Sequence, residues 1–72
     1  MFSERETSML NNLLKVYLRE DDKTYFKAQD ELAAFYNCSV NCSMSGDYMH
    51  VYLDNGKYMY QYSVKAEVIE SL

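Results

Sequence analysis

The residues of this sequence best suited to chemistry are two cysteines and one histidine: Cys38, Cys42 and His50. Thiolates and imidazoles bind zinc, but a structural zinc site normally has two close ligand pairs. Only one such pair is present, with Asp47 as a poor fourth ligand. In a strand, residues four apart lie about 13 Å apart, too far to share an ion or a disulfide. We therefore expect two reduced, mostly buried thiols and no metal or other cofactor.

The sequence also offers few candidates for catalytic residues. His50 is the only imidazole, and its alternating surroundings are more typical of an ordinary sheet histidine than of a catalytic base. A Gly-rich phosphate loop is excluded because the chain has only two glycines. The acidic pairs Asp21-Asp22 and Asp30-Glu31 are typical of helix caps and solvated surfaces. The sequence predicts no catalytic residues and no enzyme activity.

Length and charge limit the class of protein further. The 72 residues suffice for one small domain, 1–72, and the formal net charge of −4 disfavours direct binding of nucleic acid. No apolar run approaches the ~18–20 residues that cross a bilayer, and no signal peptide is recognisable. We therefore expect a cytoplasmic protein that does not enter membranes.

Two segments have the spacing of amphipathic helices. Ser3 and Glu6 match a capping box, which predicts a helix over residues 4–19. A second helix begins after Asp21 or Asp22 as N-cap and ends at Asn37 in a left-handed conformation. The apolar residues on the predicted inner faces are Leu10, Leu13, Leu14, Tyr17 and Leu18 in the first helix, and Tyr25, Ala28, Leu32, Phe35 and Tyr36 in the second.

After Asn37 the apolar residues alternate with a period of two, which indicates strands. For residues 38–44 a helix stays open as the alternative, and the tail 65–72 fits a short helix or a strand extension. Residues 48–53 and 57–64 flank Asn55-Gly56, the signal for a hairpin with a type I′ turn. Pairing Asp54 with Lys57 gives one apolar face, with Leu53 opposite Tyr58, Val51 opposite Tyr60 and Met49 opposite Tyr62.

Two amphipathic helices can cover one face of a three-stranded antiparallel sheet. The sequence therefore predicts a two-layer α+β fold of order ααβββ. The second sheet face would carry Tyr48, His50 and Tyr52 across from Ser63, Gln61 and Met59, with no further layer to cover it. Such a surface is typical of protein–protein contacts, although tyrosine is also simply favoured in sheets.

These observations favour a non-enzymatic protein-binding module. We expect Tyr48, His50, Tyr52 and Met59 to contact the partner, with Asp47 and Asp54 as steering charges. Carboxylates of the 20–31 and 47–54 surfaces would compete for a basic groove, as a phage- or plasmid-type inhibitor does against a nucleic-acid-binding host enzyme such as a defence nuclease. The same observations also fit a homodimer that forms through this face or through an edge strand.

The alternative function is a small winged regulator that binds DNA as a dimer. Residues 30–39 resemble the first helix and turn of a helix-turn-helix motif, and the hairpin would be the wing. No Lys or Arg occurs from Ala28 to Gly56, where the recognition helix and much of the wing would lie. Contacts to phosphates and bases would therefore lack their usual donors.

Overall fold

A computed structural model describes residues 2–72. The structure has two layers, a layer of helices and a β-sheet. The elements are α1 (Glu4–Leu18), α2 (Asp22–Tyr36), β1 (Ser39–Ser45), β2 (Tyr48–Asp54), β3 (Met59–Lys65) and α3 (Ala66–Glu70). Both strand pairs are antiparallel, and the strand order is β1-β2-β3. The predicted ααβββ arrangement is confirmed, the segment after Asn37 is a strand, and the tail forms the short helix α3.

Side chains fix the ends of both long helices. The Glu6 amide donates to Ser3 Oγ at 3.2 Å and the Ser3 amide to Glu6 Oε2 at 2.7 Å, so the capping box is complete. Helix α1 ends at Leu18, one residue earlier than predicted. Asp21 caps α2 through the Thr24 amide, and Asn37 ends it at φ 54° and ψ 52°, in the predicted left-handed region. Within residues 2–72, no helix combines the length and the apolar character that crossing a bilayer requires.

The core lies between the helices and the central strand. Leu10, Leu13 and Leu14 of α1 are fully buried, as the helical spacing predicted. They meet the inner side of β2, and neighbouring elements complete the cluster. The remaining core residues are Met49, Val51 and Leu53 of β2, Val40 of β1, Leu32 of α2 and Ile69 of α3.

The predicted hairpin register was wrong by two residues. Asp54 pairs with Met59 instead of Lys57, and Val51 pairs with Tyr62 instead of Tyr60. The shift keeps the side chains that remain in the sheet on their predicted faces, because side chains alternate with a period of two. It moves Tyr58 out of the sheet, and it places Val64 opposite Met49.

The turn itself explains the shift. Gly56 has a positive φ of 88° but Asn55 does not, so the predicted type I′ turn is absent. Instead Asn55 Oδ1 accepts from the amides of Lys57 and Tyr58, and Asp54 Oδ1 accepts from Gly56. These side-chain acceptors stabilise a longer loop, in which the Asn55 amide donates to the Tyr58 carbonyl.

Three aromatic residues predicted to face the core are at the surface. Phe35 is 52% exposed because α2 packs over the edge strand β1 and buries only a narrow stripe. Tyr58 and Tyr60 are each 60% exposed. Tyr58 lies in the hairpin loop, and Tyr60 lies at the end of β3 that the helices do not cover.

The Tyr62 hydroxyl links the sheet to the helix layer, and this bond can be tested. It donates to Asn11 Oδ1 of α1 at 2.6 Å in a partly buried site. We expect Tyr62→Phe to lower the free energy of unfolding by about 1 kcal/mol, because the Asn11 oxygen loses its donor. Tyr60→Phe removes the same hydroxyl from an exposed ring and should leave stability unchanged. Urea unfolding of both variants makes the comparison, and equal stabilities would contradict the assigned role of the bond.

Candidate protein-binding face

In the part of the chain that the structure describes, residues 2–72, no helix covers one face of the sheet. Helices α1, α2 and α3 all pack on the side that carries Met49, Val51 and Leu53. Alternate residues therefore point away from the helices. We call this side the open face. Its residues are Ser39, Asn41, Ser43 and Ser45 of β1, Tyr48, His50, Tyr52 and Asp54 of β2, and Met59, Gln61, Ser63 and Lys65 of β3.

The centre of the open face is a column of rings along β2. Tyr48 is 44% exposed, His50 and Tyr52 are half-buried, and the rings of His50 and Tyr52 lie 5.9 Å apart. Each ring stands between short or flexible polar side chains of the outer strands. These neighbours are Ser45 and Lys65 beside Tyr48, Ser43 and Ser63 beside His50, and Asn41 and Gln61 beside Tyr52.

Met59 shares the open face but not the predicted position. Because the register differs by two residues, Met59 pairs with Asp54 and Gln61 takes the place opposite Tyr52. Met59 is 64% exposed at the first residue of β3. It therefore extends the apolar surface towards the hairpin end instead of widening the centre of the column.

A hydrogen-bond network holds His50. Its Nδ1 lies 2.8 Å from Ser63 Oγ and 3.1 Å from Gln61 Nε2, and the Gln61 amide donates to Ser63 Oγ at 2.9 Å. With the amide as donor, Nδ1 is the acceptor of the neutral ring and Nε2 carries the proton. The network fixes the ring in place and leaves the Nε2 edge for other contacts.

The carboxylates of the 20–31 and 47–54 surfaces lie in different layers of the molecule. Asp47 lies in the β1–β2 turn and Asp54 at the other end of β2, so their backbones are about 20 Å apart. Asp54 also holds the hairpin loop through the Gly56 amide. The carboxylates of residues 20–31 belong to the helix layer, on the other side of the sheet. The open face therefore has one carboxylate near each end of its aromatic column.

The two candidate metal-ligand types are separated by the sheet. Cys42 pairs with Val51 and faces the helices, whereas His50 faces the open side. Cys38 and Cys42 are both free thiols and partly buried. In the described part of the chain, residues 2–72, no three His, Cys, Asp or Glu side chains come together as a metal site.

Sequence reasoning missed a groove beside β3. It has a volume of about 530 Å³ and is lined by aromatic rings, among them Phe2, Tyr36, Tyr58 and Tyr60. The Tyr36 hydroxyl is buried, and among residues 2–72 it has no hydrogen-bond partner. Burial, and next the Glu6 carboxylate, raise the pKa of Tyr36 to about 12. The groove depends on the observed register, so no signal in the sequence could have located it.

The structure has a strand where the helix-turn-helix motif places its recognition helix. Asn37 ends α2, and β1 begins at Ser39. The resemblance of residues 30–39 to that motif therefore stops at its first helix and turn.

Comparisons of the chain with models of protein families, with curated protein sequences and with solved structures find no match. The function is therefore argued from the chain's own residues.

The buried thiol makes a prediction about alkaline pH. Burial raises the pKa of Cys42 from 9.0 to about 11. The folded state therefore keeps the thiol neutral at pH values where the unfolded chain ionises it. Its contribution to stability is complete below pH 9 and is lost as the pH rises towards 11. We expect Cys42→Ala to show a smaller fall in unfolding free energy than the wild type between pH 8.5 and about 10.5, measured by urea unfolding. Parallel curves for the two proteins would refute this.

Proposed function

We propose that this chain is a non-enzymatic module that binds another protein through its open face. The observation that carries the proposal is the uncovered column of Tyr48, His50 and Tyr52, extended by Met59. Tyrosine, histidine and methionine supply large contact areas, and aromatic residues often dominate binding energy at interfaces. The short polar side chains on both sides of the column suit the polar rim of such an interface.

Rigidity supports the same function. The His50 network and the two ladders of β2 hold the central rings before any partner arrives. A side chain that is already ordered loses less conformational entropy on binding, so more of its contact energy appears as affinity. Ser63 Oγ lies within hydrogen-bond reach of His50 Nδ1, but within residues 2–72 no carboxylate or carbonyl bonds the other ring nitrogen. The pair therefore lacks the third group that orients a catalytic base.

The charges around the open face indicate which kind of protein it would bind. Neither β1 nor β2 contains Lys or Arg, and Asp47 and Asp54 lie near the two ends of the column. Complementary charges would then lie around an apolar centre on the partner. The proposed partner is a nucleic-acid-binding enzyme whose basic groove this face occupies, as in a phage- or plasmid-type inhibitor of a host nuclease. The free thiols Cys38 and Cys42 support a reducing compartment such as the cytoplasm.

The test compares two double variants that each remove two aromatic rings. Tyr48→Ala with Tyr52→Ala changes the open face, and Phe26→Ala with Phe35→Ala changes exposed rings of α2 on the opposite side. The tagged wild type captures proteins from nuclease-treated host lysate, and mass spectrometry identifies them. Titration of the purified partner then gives a Kd for each variant.

We expect the open-face variant to bind about 100-fold more weakly or worse, and the α2 variant to bind as the wild type does. Circular dichroism should show the same helix content in all three proteins. Equal affinity of the open-face variant and the wild type would refute the proposed surface.

The DNA-binding alternative makes the opposite prediction about salt. A regulator that contacts phosphates loses affinity for duplex DNA steeply between about 50 and 200 mM salt. We expect no binding to labelled duplex DNA at the low end of this range, measured by fluorescence anisotropy. Salt-sensitive binding of the purified chain would favour the regulator over the protein-binding module.

A further inference from the structure

The two edges of the sheet differ in what covers them. Ser45 and Tyr48 pair across a two-residue turn, so their backbones exchange hydrogen bonds. Alternation then directs the backbone groups of Val40, Cys42 and Met44 outward from β1. Helix α2 covers this edge, because Gln29 Nε2 donates to the Val40 carbonyl and Tyr25 packs against Cys42.

The β3 edge is open. The Asn55 amide donates to the Tyr58 carbonyl, and the Ala66 amide donates to the Asp47 carbonyl. These two bonds determine which alternate residues of β3 bond to β2. The backbone amides and carbonyls of Met59, Gln61 and Ser63, and the amide of Lys65, therefore point away from β2. Within residues 2–72 no side chain or loop bonds to these groups.

This edge also lacks the usual protection against pairing. Strand β3 has seven residues, no proline and a single charge, Lys65, at its end. Natural edge strands are commonly shielded by prolines, central charges or bulges. An unshielded ladder of donors and acceptors is complementary to one kind of ligand, an extended backbone.

We propose that β3 pairs antiparallel with β3 of a second copy of this chain, about a twofold axis through Tyr62. This register overlaps all seven residues of the strand. Gln61 lies opposite Ser63 of the second copy, Tyr60 opposite Val64, and Met59 opposite Lys65. Four hydrogen bonds join the two Gln61–Ser63 pairs, and the Lys65 amides add two more to the Met59 carbonyls.

The side chains of β3 are self-complementary in this register. On the helix side Tyr60 meets Val64 and the two Tyr62 rings meet each other, so apolar residues face apolar residues. On the open side Gln61 meets Ser63. Lys65 of the second copy lies over Met59, next to Asp54 across the ladder, so a cation comes beside a carboxylate. These matches favour a second copy over an unrelated peptide.

The groove beside β3 fits the same arrangement. Tyr58 and Tyr60 line the groove. They flank Met59, which pairs with Lys65 at the end of the second β3. Helix α3 begins directly after Lys65, and its Val68 and the following Leu72 are exposed. Pairing brings this apolar segment of the second copy to the groove, where it covers rings that are exposed in the monomer.

The test uses the full chain without any partner, so its outcome is independent of the proposed function. Sedimentation equilibrium should give twice the chain mass of 8.5 kDa. Ser63→Pro removes the outward amide and inserts a ring into the new ladder, without removing a bond to β2. Ser63→Ala is the matched control, because it loses the same hydroxyl but keeps the amide.

We expect Ser63→Pro to raise the dimer dissociation constant about tenfold or more above that of Ser63→Ala, because only the proline variant loses the amide that bonds the second copy. Should Ser63→Pro fail to fold, amide hydrogen exchange of the wild type decides the question. The Gln61 and Ser63 amides should be protected only at dimer-forming concentrations, whereas the Tyr60 and Tyr62 amides, bonded to β2, should be protected throughout. A monomeric mass at millimolar concentration would overturn the proposal, as would a dimer in which the Gln61 and Ser63 amides exchange freely.

Discussion

Burial of one side of β2 is the constraint on which the structure depends. Both long helices and α3 pack into one apolar core around Met49, Val51 and Leu53. A chain of 72 residues buries a limited core, so a change in these contacts affects every element at once. Because side chains alternate, the same burial places Tyr48, His50 and Tyr52 on the opposite side. The aromatic column is therefore a direct geometric consequence of the core.

The open face combines order with exposure. Its central strand is paired on both sides, and the His50 network joins β2 to β3 through Ser63 and Gln61. The rings are thus fixed although no other element of residues 2–72 covers them. Asp47 and Asp54 lie near the two ends of the aromatic column. Any electrostatic attraction from them therefore acts at the margins of the column. The proposed protein-binding function requires such a combination of order and exposure.

The two sheet edges differ because of chain connectivity. Only Asn37 and Cys38 separate α2 from β1, so α2 returns over the strand that follows it and covers that edge. Strand β3 is preceded by a loop and followed by the short α3, and no group of residues 2–72 bonds to the outward amides of Met59, Gln61 and Ser63. In the proposed dimer the two open faces join into one continuous surface with two aromatic columns. Dimerisation would then use the β3 edge and partner binding the β2 column, and Met59 borders on both.

The sequence by itself determined the features that depend on neighbouring residues. The caps at Ser3, Asp21 and Asn37 and the two periodicities act over a few residues, so local chemistry decides them. The face of each strand residue was also predictable, since a register error of two residues preserves it. The tertiary structure alone decided the Asp54–Met59 pairing, the exposure of Phe35 and Tyr60, the burial of Ile69 and the groove. These depend on where distant elements pack, because burial is a property of contacts between segments and not of any one segment.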